Sequence, residues 1–282
     1  MTVFFYQREL STRVSFDPWA TINADSFARQ ILQPCFNVEK SQRNGPQLLL
    51  IASDGELYGH HHNFRERFLA RLVDGAASQF GMTSTYPALW LKRFPPRDTV
   101  EIRENTSWSC HHGIARWVGG CSCTPGNGTW KSRLRYAFEH LADELDRLFL
   151  EITRPLIRDP WLLRHRYIHA MLGKVTLDEL ISAMAYRVLT SEQLRRTYLM
   201  LEAQRERQRM FTSCGWFFDD FDRIEPRNNV VYAAQAVRFA NLATNVNLKS
   251  EIVDDLKYVT SAQTGLRADQ VFLHHLCRTE EI

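Results

Sequence analysis

Residues 48–62 read Leu-Leu-Leu-Ile-Ala-Ser-Asp-Gly-Glu-Leu-Tyr-Gly-His-His-His. An apolar run typical of a buried strand leads directly into Asp54 and Glu56, and Gly55 and Gly59 allow the backbone to turn tightly around these two acids. Side chains at the carboxyl end of a buried strand are held rigidly, as catalytic or binding residues need to be. The stretch therefore predicts a strand of an α/β fold that ends in candidate functional side chains.

The residues around this stretch alternate between apolar runs and helical spacings. Strands are predicted at residues 3–6, 47–52 and 99–102, and helices at residues 26–32, 64–72 and 84–94. Strands that alternate with helices pair in parallel and build βαβ units. The first part of the chain, residues 1–105, is therefore predicted to be a partial (β/α) barrel.

The later part of the chain has a different pattern. Residues 104–131 are rich in Gly, Cys, His, Trp and Ser, and so long an irregular segment is usually functional. Beyond it, apolar residues recur at helical spacing at positions 134, 138, 141, 145 and 148, and further helices are predicted at residues 177–188, 191–209 and 232–242. The fold class is thus predicted as α/β plus α, with residues 106–282 forming a loop-rich segment that leads into a mainly helical domain.

Composition limits the classes of function. The chain of 282 residues is 44% hydrophobic and carries a formal net charge of +3, so it can form a real core and shows no strong bias toward nucleic acid. It contains neither a signal peptide pattern nor an apolar run long enough to span a membrane. We expect a cytoplasmic protein with reduced thiols and no membrane partner. Arginine-rich residues 195–209 are interleaved with acids and are expected to form a solvated helix face; nucleic-acid binding is the alternative.

The residues that follow the central strand are the first candidates for chemistry. Asp54 and Glu56 suit general acid and base catalysis if burial raises one pKa, whereas the structural alternative is a turn followed by a helix N-terminal acid. His60, His61 and His62 are candidate substrate contacts or metal ligands. Because adjacent residues of an extended segment point in opposite directions, at most His60 and His62 are expected to share a site.

Two aromatic segments suggest a carbohydrate partner. Between residues 104 and 131, the cysteines and histidines lack the paired spacing of a zinc ribbon or finger, so a loop that presents aromatic faces and charged groups to a sugar is favoured. Residues 211–220 contain Trp216, Phe217 and Phe218 in a row, followed by Asp219 and Asp220. Three consecutive aromatic residues cannot all lie on one side of a helix, so this segment either plugs the core or lines a cleft.

Three segments in order resemble glycoside hydrolase family 57, in its bacterial branch with a C-terminal helical domain of unknown function. Residues 51–61 match that family's Asp-Gly-Glu-aromatic-Gly motif, and residues 104–113 and 212–220 resemble segments of the helical branch. The resemblance implies that Asp54 is the general acid/base, with Glu56 at the motif's second acid position. It further implies action on α-glucosidic bonds of a glucan or oligosaccharide, without metal or other cofactor.

The resemblance also departs from the family pattern. Retaining enzymes need two carboxylates about 5 Å apart, and the family's nucleophile motif has no counterpart here, so the chain is expected to be truncated at its N-terminus. Glu104 is only a weak candidate for the second carboxylate. Two alternatives therefore stay open: an inactive carbohydrate-binding remnant, and a zinc protein that uses His60, His62, Cys110 and Cys121. The predicted substrate-binding residues are His60, His61, His62, Trp108, His111, His112, Arg116, Trp216, Asp219 and Asp220.

Overall fold

A computed structural model describes residues 2–108, 111–123 and 126–280 of the chain, with side chains described up to residue 277. The chain divides into two compact units, Met1–Glu101 and Ile102–Ile282. A small core of buried residues lies in the first unit, and a much larger one lies in the second. Each unit is therefore described by its own packing.

The first unit consists of short helices around a small apolar core. Leu10 and Val14, one helical turn apart, are buried on the first helix, while Phe27 and Phe68 meet edge to face with ring centroids 5.3 Å apart. Such a pair contributes about 0.5–1.5 kcal/mol beyond the area that it buries. The helices are α1 (Arg8–Phe16), α2 (Ala24–Phe27, continued by a π-turn over Ala28–Leu32), α3 (Val38–Gln42), α4 (Arg65–Arg71) and α5 (Pro87–Arg93).

The predicted partial (β/α) barrel is not confirmed. Among the described residues no strand forms, and the segments predicted as strands at 3–6, 47–52 and 99–102 are irregular. The apolar run at 47–52 is only partly buried, and it is joined to α1 by hydrogen bonds from Gln7 N to Leu50 O (2.9 Å) and from Ala52 N to Ser11 Oγ (3.0 Å). A strand requires a ladder with a neighbouring strand, and hydrophobic sequence alone does not supply that neighbour.

The second unit is helical, as predicted. The apolar stripe that begins at Leu134 is buried on the long helix α7, and helix α10 has the predicted bounds. Small side chains such as Ala233 and Ala240 line the buried face of α12, so that α10 and α12 pack closely. The helices are α6 (Ala115–Val118), α7 (Thr129–Thr153), α8 (Pro160–Met171), α9 (Leu177–Met184), α10 (Ser191–Arg209), α11 (Cys214–Phe217), α12 (Ile224–Thr244), α13 (Lys249–Leu256) and α14 (Ala268–Glu280).

The arginine-rich helix α10 buries one face in the core, while the side chains of Arg195, Arg205 and Arg209 remain 41–51% exposed. It buries Glu202 and Glu206, and the guanidinium groups of Arg205 and Arg209 pair with these two carboxylates at 3.2 and 2.7 Å. Buried acids are costly unless they are paired, which explains the interleaving of the two charges along the sequence. Arg205 and Arg209 therefore neutralise the buried acids of their own helix.

Within the part of the chain that the structure describes, none of the helices combines the length and the hydrophobicity needed to cross a bilayer.

Candidate functional site

Asp54 and Glu56 belong to a turn in the first unit. The turn is a single 3-10 turn, Gly55–Leu57, in which Leu57 N donates to Asp54 O at 3.2 Å. Leu57 is buried in the small core and anchors the turn, whereas Asp54 and Glu56 are both exposed. The predicted strand end and the burial of the acid pair are therefore absent within this unit. The turn instead presents two carboxylates to solvent.

The three histidines continue the same turn. Tyr58 and His62 form an isolated bridge, and Gly59 N donates to His62 O at 3.1 Å with Gly59 at a φ of +105°. The segment is thus curled rather than extended, and the rings of His60 and His61 lie side by side with centroids 5.1 Å apart. The extended backbone assumed for this segment is therefore not present, and His61 lies beside His60 rather than pointing away from it.

A groove lies elsewhere in the first unit. Its volume is about 910 Å³, and its lining is mainly apolar and includes Leu49, Ile51, Phe80 and Trp90. Asp54 is not among the residues that line it. The groove therefore uses the apolar run that precedes the acids, but not the acids themselves.

In the second unit, the two aromatic segments meet. Trp108 stacks on Phe217 with ring centroids 5.9 Å apart and an interplanar angle of 12°, and Trp117 contacts the same phenyl ring at 5.9 Å. The guanidinium carbon of Arg116 lies 4.5 Å from the centroid of the Phe217 ring. Trp108 is 64% exposed. We call this group, Trp108, Arg116, Trp117 and Phe217, the aromatic platform.

Hydrogen bonds from two indole groups join the two segments that form the aromatic platform. Trp117 Nε1 donates to Ser213 O at 3.2 Å, and Trp130 Nε1 donates to Asp219 O at 3.0 Å. Both bonds join the segment at 104–131 to the segment at 211–220. The interaction between these two distant segments is thus made largely by tryptophan side chains.

Lys131 contacts the platform residue Arg116 and was not predicted as a site residue. Its side chain is fully buried, and Nζ donates to Arg116 O at 2.7 Å. Burial, assisted by the charge of Arg116, lowers the pKa of Lys131 to about 8, while the charges of Cys121 and Asp219 oppose this shift. A signal existed in the sequence, because Lys131 precedes Leu134 and Phe138 at helical spacing and so falls on the buried face of α7.

Two predicted substrate-binding residues are structural. Trp216 is 1% exposed and packs against Phe138 and Phe211 with centroid distances of 6.0 and 6.3 Å, so it belongs to the core. Asp220 is buried, and its two carboxylate oxygens accept hydrogen bonds from Asp222 N and Ala262 N. In the row of three aromatics it is Phe217, not Trp216, that joins the platform.

The predicted contacts Asp219, His111 and His112 lie on the two platform segments. The half-buried Asp219 interacts electrostatically with Lys131 and closely approaches Gly126, where an added Cβ would lie 3.2 Å from Asp219 Oδ2. His111 and His112 are exposed, with ring centroids 4.1 Å apart. All three therefore remain candidates on structural grounds.

One histidine of this pair belongs to a cluster of potential metal ligands. His112 Nδ1 lies 3.2 Å from Cys123 Sγ, and the ligand atoms of His112, Cys121 and Cys123 all lie within 4.8 Å of one another. The zinc alternative drawn from the sequence had combined other residues: His60 and His62 are in the first unit, and Cys110 lies outside the described residues. The structure thus brings together a different set of potential metal ligands from the one predicted.

Comparison with known proteins now identifies the helical part. The family model described as a domain of unknown function, DUF3536, matches residues 127–279, more than half of the chain. The chain belongs to the DUF3536 family. The matched residues extend from α7 into α14, and so the DUF3536 domain contains Lys131, Phe217 and Asp219 but not Trp108, Arg116 or the cluster of His112, Cys121 and Cys123.

A solved structure gives the fold relationship. The chain is similar to an exo-type maltose-forming amylase from Pyrococcus sp. ST04, with a TM-score of 0.60 and 16% sequence identity over 97% of this chain and 54% of that chain. The chain thus spans about half the length of the amylase. The likeness shows that the chain has an amylase-like fold. No curated protein matches the sequence significantly.

Proposed function

We propose that this protein acts on α-glucosidic bonds, as a glycoside hydrolase or glucanotransferase of the bacterial, helical-domain branch of family 57. The observation that carries the proposal is the sequence Asp-Gly-Glu-Leu-Tyr-Gly at residues 54–59, which resembles the family's Asp-Gly-Glu-aromatic-Gly motif, in a chain with an amylase-like fold. A glucan or oligosaccharide is the proposed substrate, and the cytoplasm is the proposed location. Sharing a fold with an amylase supports the substrate class only by analogy.

Asp54 is the proposed general acid/base. Its exposed carboxylate would protonate the leaving oxygen and then remove a proton from water or from an acceptor hydroxyl. The position of Asp54 on a turn anchored by Leu57 supports this role, because no side-chain hydrogen bond within the turn occupies the carboxylate. Glu56 is the second acid of the motif. The double displacement also needs a nucleophilic carboxylate, which the motifs do not identify in this sequence.

The aromatic platform is the proposed sugar-binding surface of the second unit. An exposed indole stacked on a phenyl ring offers a flat apolar face to a pyranose ring. Trp108 has this arrangement on Phe217, and the buried side chain of Arg116 packs on the same phenyl ring and supports it. His111, His112 and Asp219 add polar groups on the same two segments. His60, His61 and His62 are proposed contacts on the first unit.

Turnover of maltooligosaccharides tests the acid/base role. We expect Asp54→Asn to lower turnover by roughly 100-fold or more, since general acid–base catalysis contributes about that much. Asp98→Asn, which changes an exposed acid outside the motif, is the matched control and should retain activity. Equal turnover by Asp54→Asn and wild type would refute the assignment.

Binding measured by calorimetry tests the platform separately. We expect Trp108→Ala to weaken maltooligosaccharide binding by about 10-fold through loss of the stacking face. Trp19→Ala removes another exposed indole in the first unit and should bind normally. Binding without any turnover in wild type would favour the alternative of an inactive carbohydrate-binding protein, to which the unidentified nucleophile already points.

A further inference from the structure

Residues 112–123 fold back on themselves so that three potential metal ligands converge. His112 precedes the short helix α6, and Cys121 and Cys123 follow it. Cys123 Sγ lies 3.2 Å from His112 Nδ1, and the three ligand atoms lie within 4.8 Å of one another. Residues up to eleven positions apart in the sequence thus form one cluster.

The distances suit a tetrahedral ion. With Zn–S and Zn–N bonds of about 2.3 and 2.0 Å, the ligand atoms of a tetrahedral zinc site lie about 3.5 Å apart. Two thiolates and one imidazole form a donor set that prefers zinc over the hard cations magnesium and calcium.

Close backbone contacts lie on both sides of the loop that carries the three ligands. An added Cβ at Gly128 would lie 2.8 Å from Gly119 O and from Gly120 Cα, so the start of α7 packs directly on the residues before Cys121. Gly113, which follows His112, has a φ of +62°, and an added Cβ would lie 2.4 Å from Asn105 O. Both ends of the ligand loop are therefore held at positions where only glycine fits, and the ligands are presented by a constrained backbone.

We propose that His112, Cys121 and Cys123 bind a zinc ion that fixes the loop carrying Arg116 and Trp117. Three protein ligands leave the fourth tetrahedral position to water or to another donor. Because α6 lies between the ligands in the sequence, the ion closes the loop around it and holds two platform residues in place. The zinc site contains neither Asp54 nor Glu56, but it uses His112, one of the proposed sugar contacts, as a ligand, and it departs from the metal-free expectation drawn from the sequence.

Elemental analysis of the full chain provides the test. The protein is stripped with a chelator under reducing conditions, reconstituted with zinc and freed of excess metal. We expect stoichiometric zinc in wild type, and an affinity at least roughly 100-fold weaker in Cys121→Ser, Cys123→Ser and His112→Ala, because even partners outside the ligand shell matter 10–100-fold. Cobalt(II) substitution should give thiolate charge-transfer absorption that weakens in each cysteine variant.

Matched controls separate the cluster from nonspecific thiol or imidazole binding. Cys35→Ser, Cys214→Ser and His111→Ala change exposed residues outside the cluster and should keep the zinc. A wild-type chain that holds no zinc after reconstitution would overturn the proposal, as would zinc retained by the triple variant of the three ligands.

Limited proteolysis of wild-type protein supplies a readout that does not depend on how the variants fold. Arg116 is buried, so trypsin cleaves after it only when the loop opens. Chelation is expected to accelerate this cleavage several-fold, and zinc to reverse the effect. Cleavage after Arg116 at the same rate with and without zinc would contradict the role of the ion in fixing the loop.

Discussion

At the scale of single residues, the stability of the second unit depends on a few positions that require a glycine or that bury a charged group. Gly215 on α11 is one of them. An added Cβ there would lie 2.2 Å from Asn229 Nδ2, and Asn229 is 1% exposed and donates to Thr212 O at 3.0 Å. The glycine thus allows α11 to contact the buried amide that holds the preceding turn.

We expect Gly215→Ala to lower the free energy of unfolding by about 1–3 kcal/mol, because the methyl group must displace a buried and hydrogen-bonded side chain. Denaturant unfolding checks this. Gly119→Ala is the matched control, since an added Cβ at Gly119 meets no atom within 4 Å. A loss of stability that is equal in the two variants would contradict the steric explanation.

Lys131 is the second such residue, because its pKa is lowered from 10.5 to about 8 by burial. Between these two pH values the unfolded chain holds a proton that the folded chain has released. The unfolded state therefore binds more protons, and the free energy of unfolding rises with pH across this window.

We expect the free energy of unfolding of wild type to rise between pH 7 and pH 10.5 by roughly 1–3 kcal/mol more than that of Lys131→Met, at about 1.4 kcal/mol per pKa unit. Urea titrations at several pH values measure the difference. Lys174→Met removes an exposed lysine from the same unit and should follow wild type. Parallel pH profiles for wild type and Lys131→Met would disprove the shift.

At the scale of elements, helix ends are specified locally in the second unit. Thr190 Oγ1 accepts from Gln193 N at 3.2 Å, and Gln193 Oε1 accepts from Thr190 N at 3.0 Å, which forms a capping box at the start of α10. Thr176 and Glu179 form the same motif at the start of α9. Each box satisfies backbone N–H groups that a helix leaves without internal partners.

We expect Thr190→Ala to destabilise the second unit by about 1 kcal/mol, since Thr190 is exposed and its main contribution is the cap. Thr190→Ser retains the hydroxyl acceptor and should preserve most of the stability. Thermal unfolding followed by circular dichroism measures both variants. If the serine variant lost as much stability as the alanine variant, the cap would not be the cause.

The elements of the first unit depend much less on local signals. The apolar run at 47–52 has the composition of a buried strand, yet it remains irregular and lines a groove. Its sequence predicts hydrophobic contact correctly but not the type of structure, because a strand exists only together with the strand beside it. A helix forms its hydrogen bonds within its own segment and needs no neighbouring strand. The bounds predicted for α4 and α5 therefore agree with the structure to within a few residues.

At the scale of the whole molecule, the chain has two hydrophobic cores of very different size. The core of the second unit includes fully buried Leu145 and Phe149, and the core of the first unit is built around Phe27 and Phe68. A small core buries less apolar surface and stabilises its unit less. The first unit is therefore expected to open more readily than the second.

We expect Leu145→Ala to lower the stability of the second unit by about 2–5 kcal/mol, the usual cost of a cavity at a fully buried leucine. Hydrogen exchange should accelerate in residues 102–282 and remain unchanged in residues 1–101. Leu242→Ala, at an exposed position of α12, is the control. Equal acceleration throughout the chain would show that the two cores unfold as one.

The sequence by itself determined the helical character of the second unit, the bounds of α10, the buried stripe of α7 and the motif around Asp54, because periodicity, caps and short motifs depend on neighbours within a few residues. Only the tertiary structure decided that Phe217 rather than Trp216 joins the platform, that buried Lys131 donates to the Arg116 carbonyl, and that His112 meets Cys121 and Cys123. These outcomes depend on contacts between residues far apart in the chain. Such contacts follow from how whole helices pack, which local spacing does not specify.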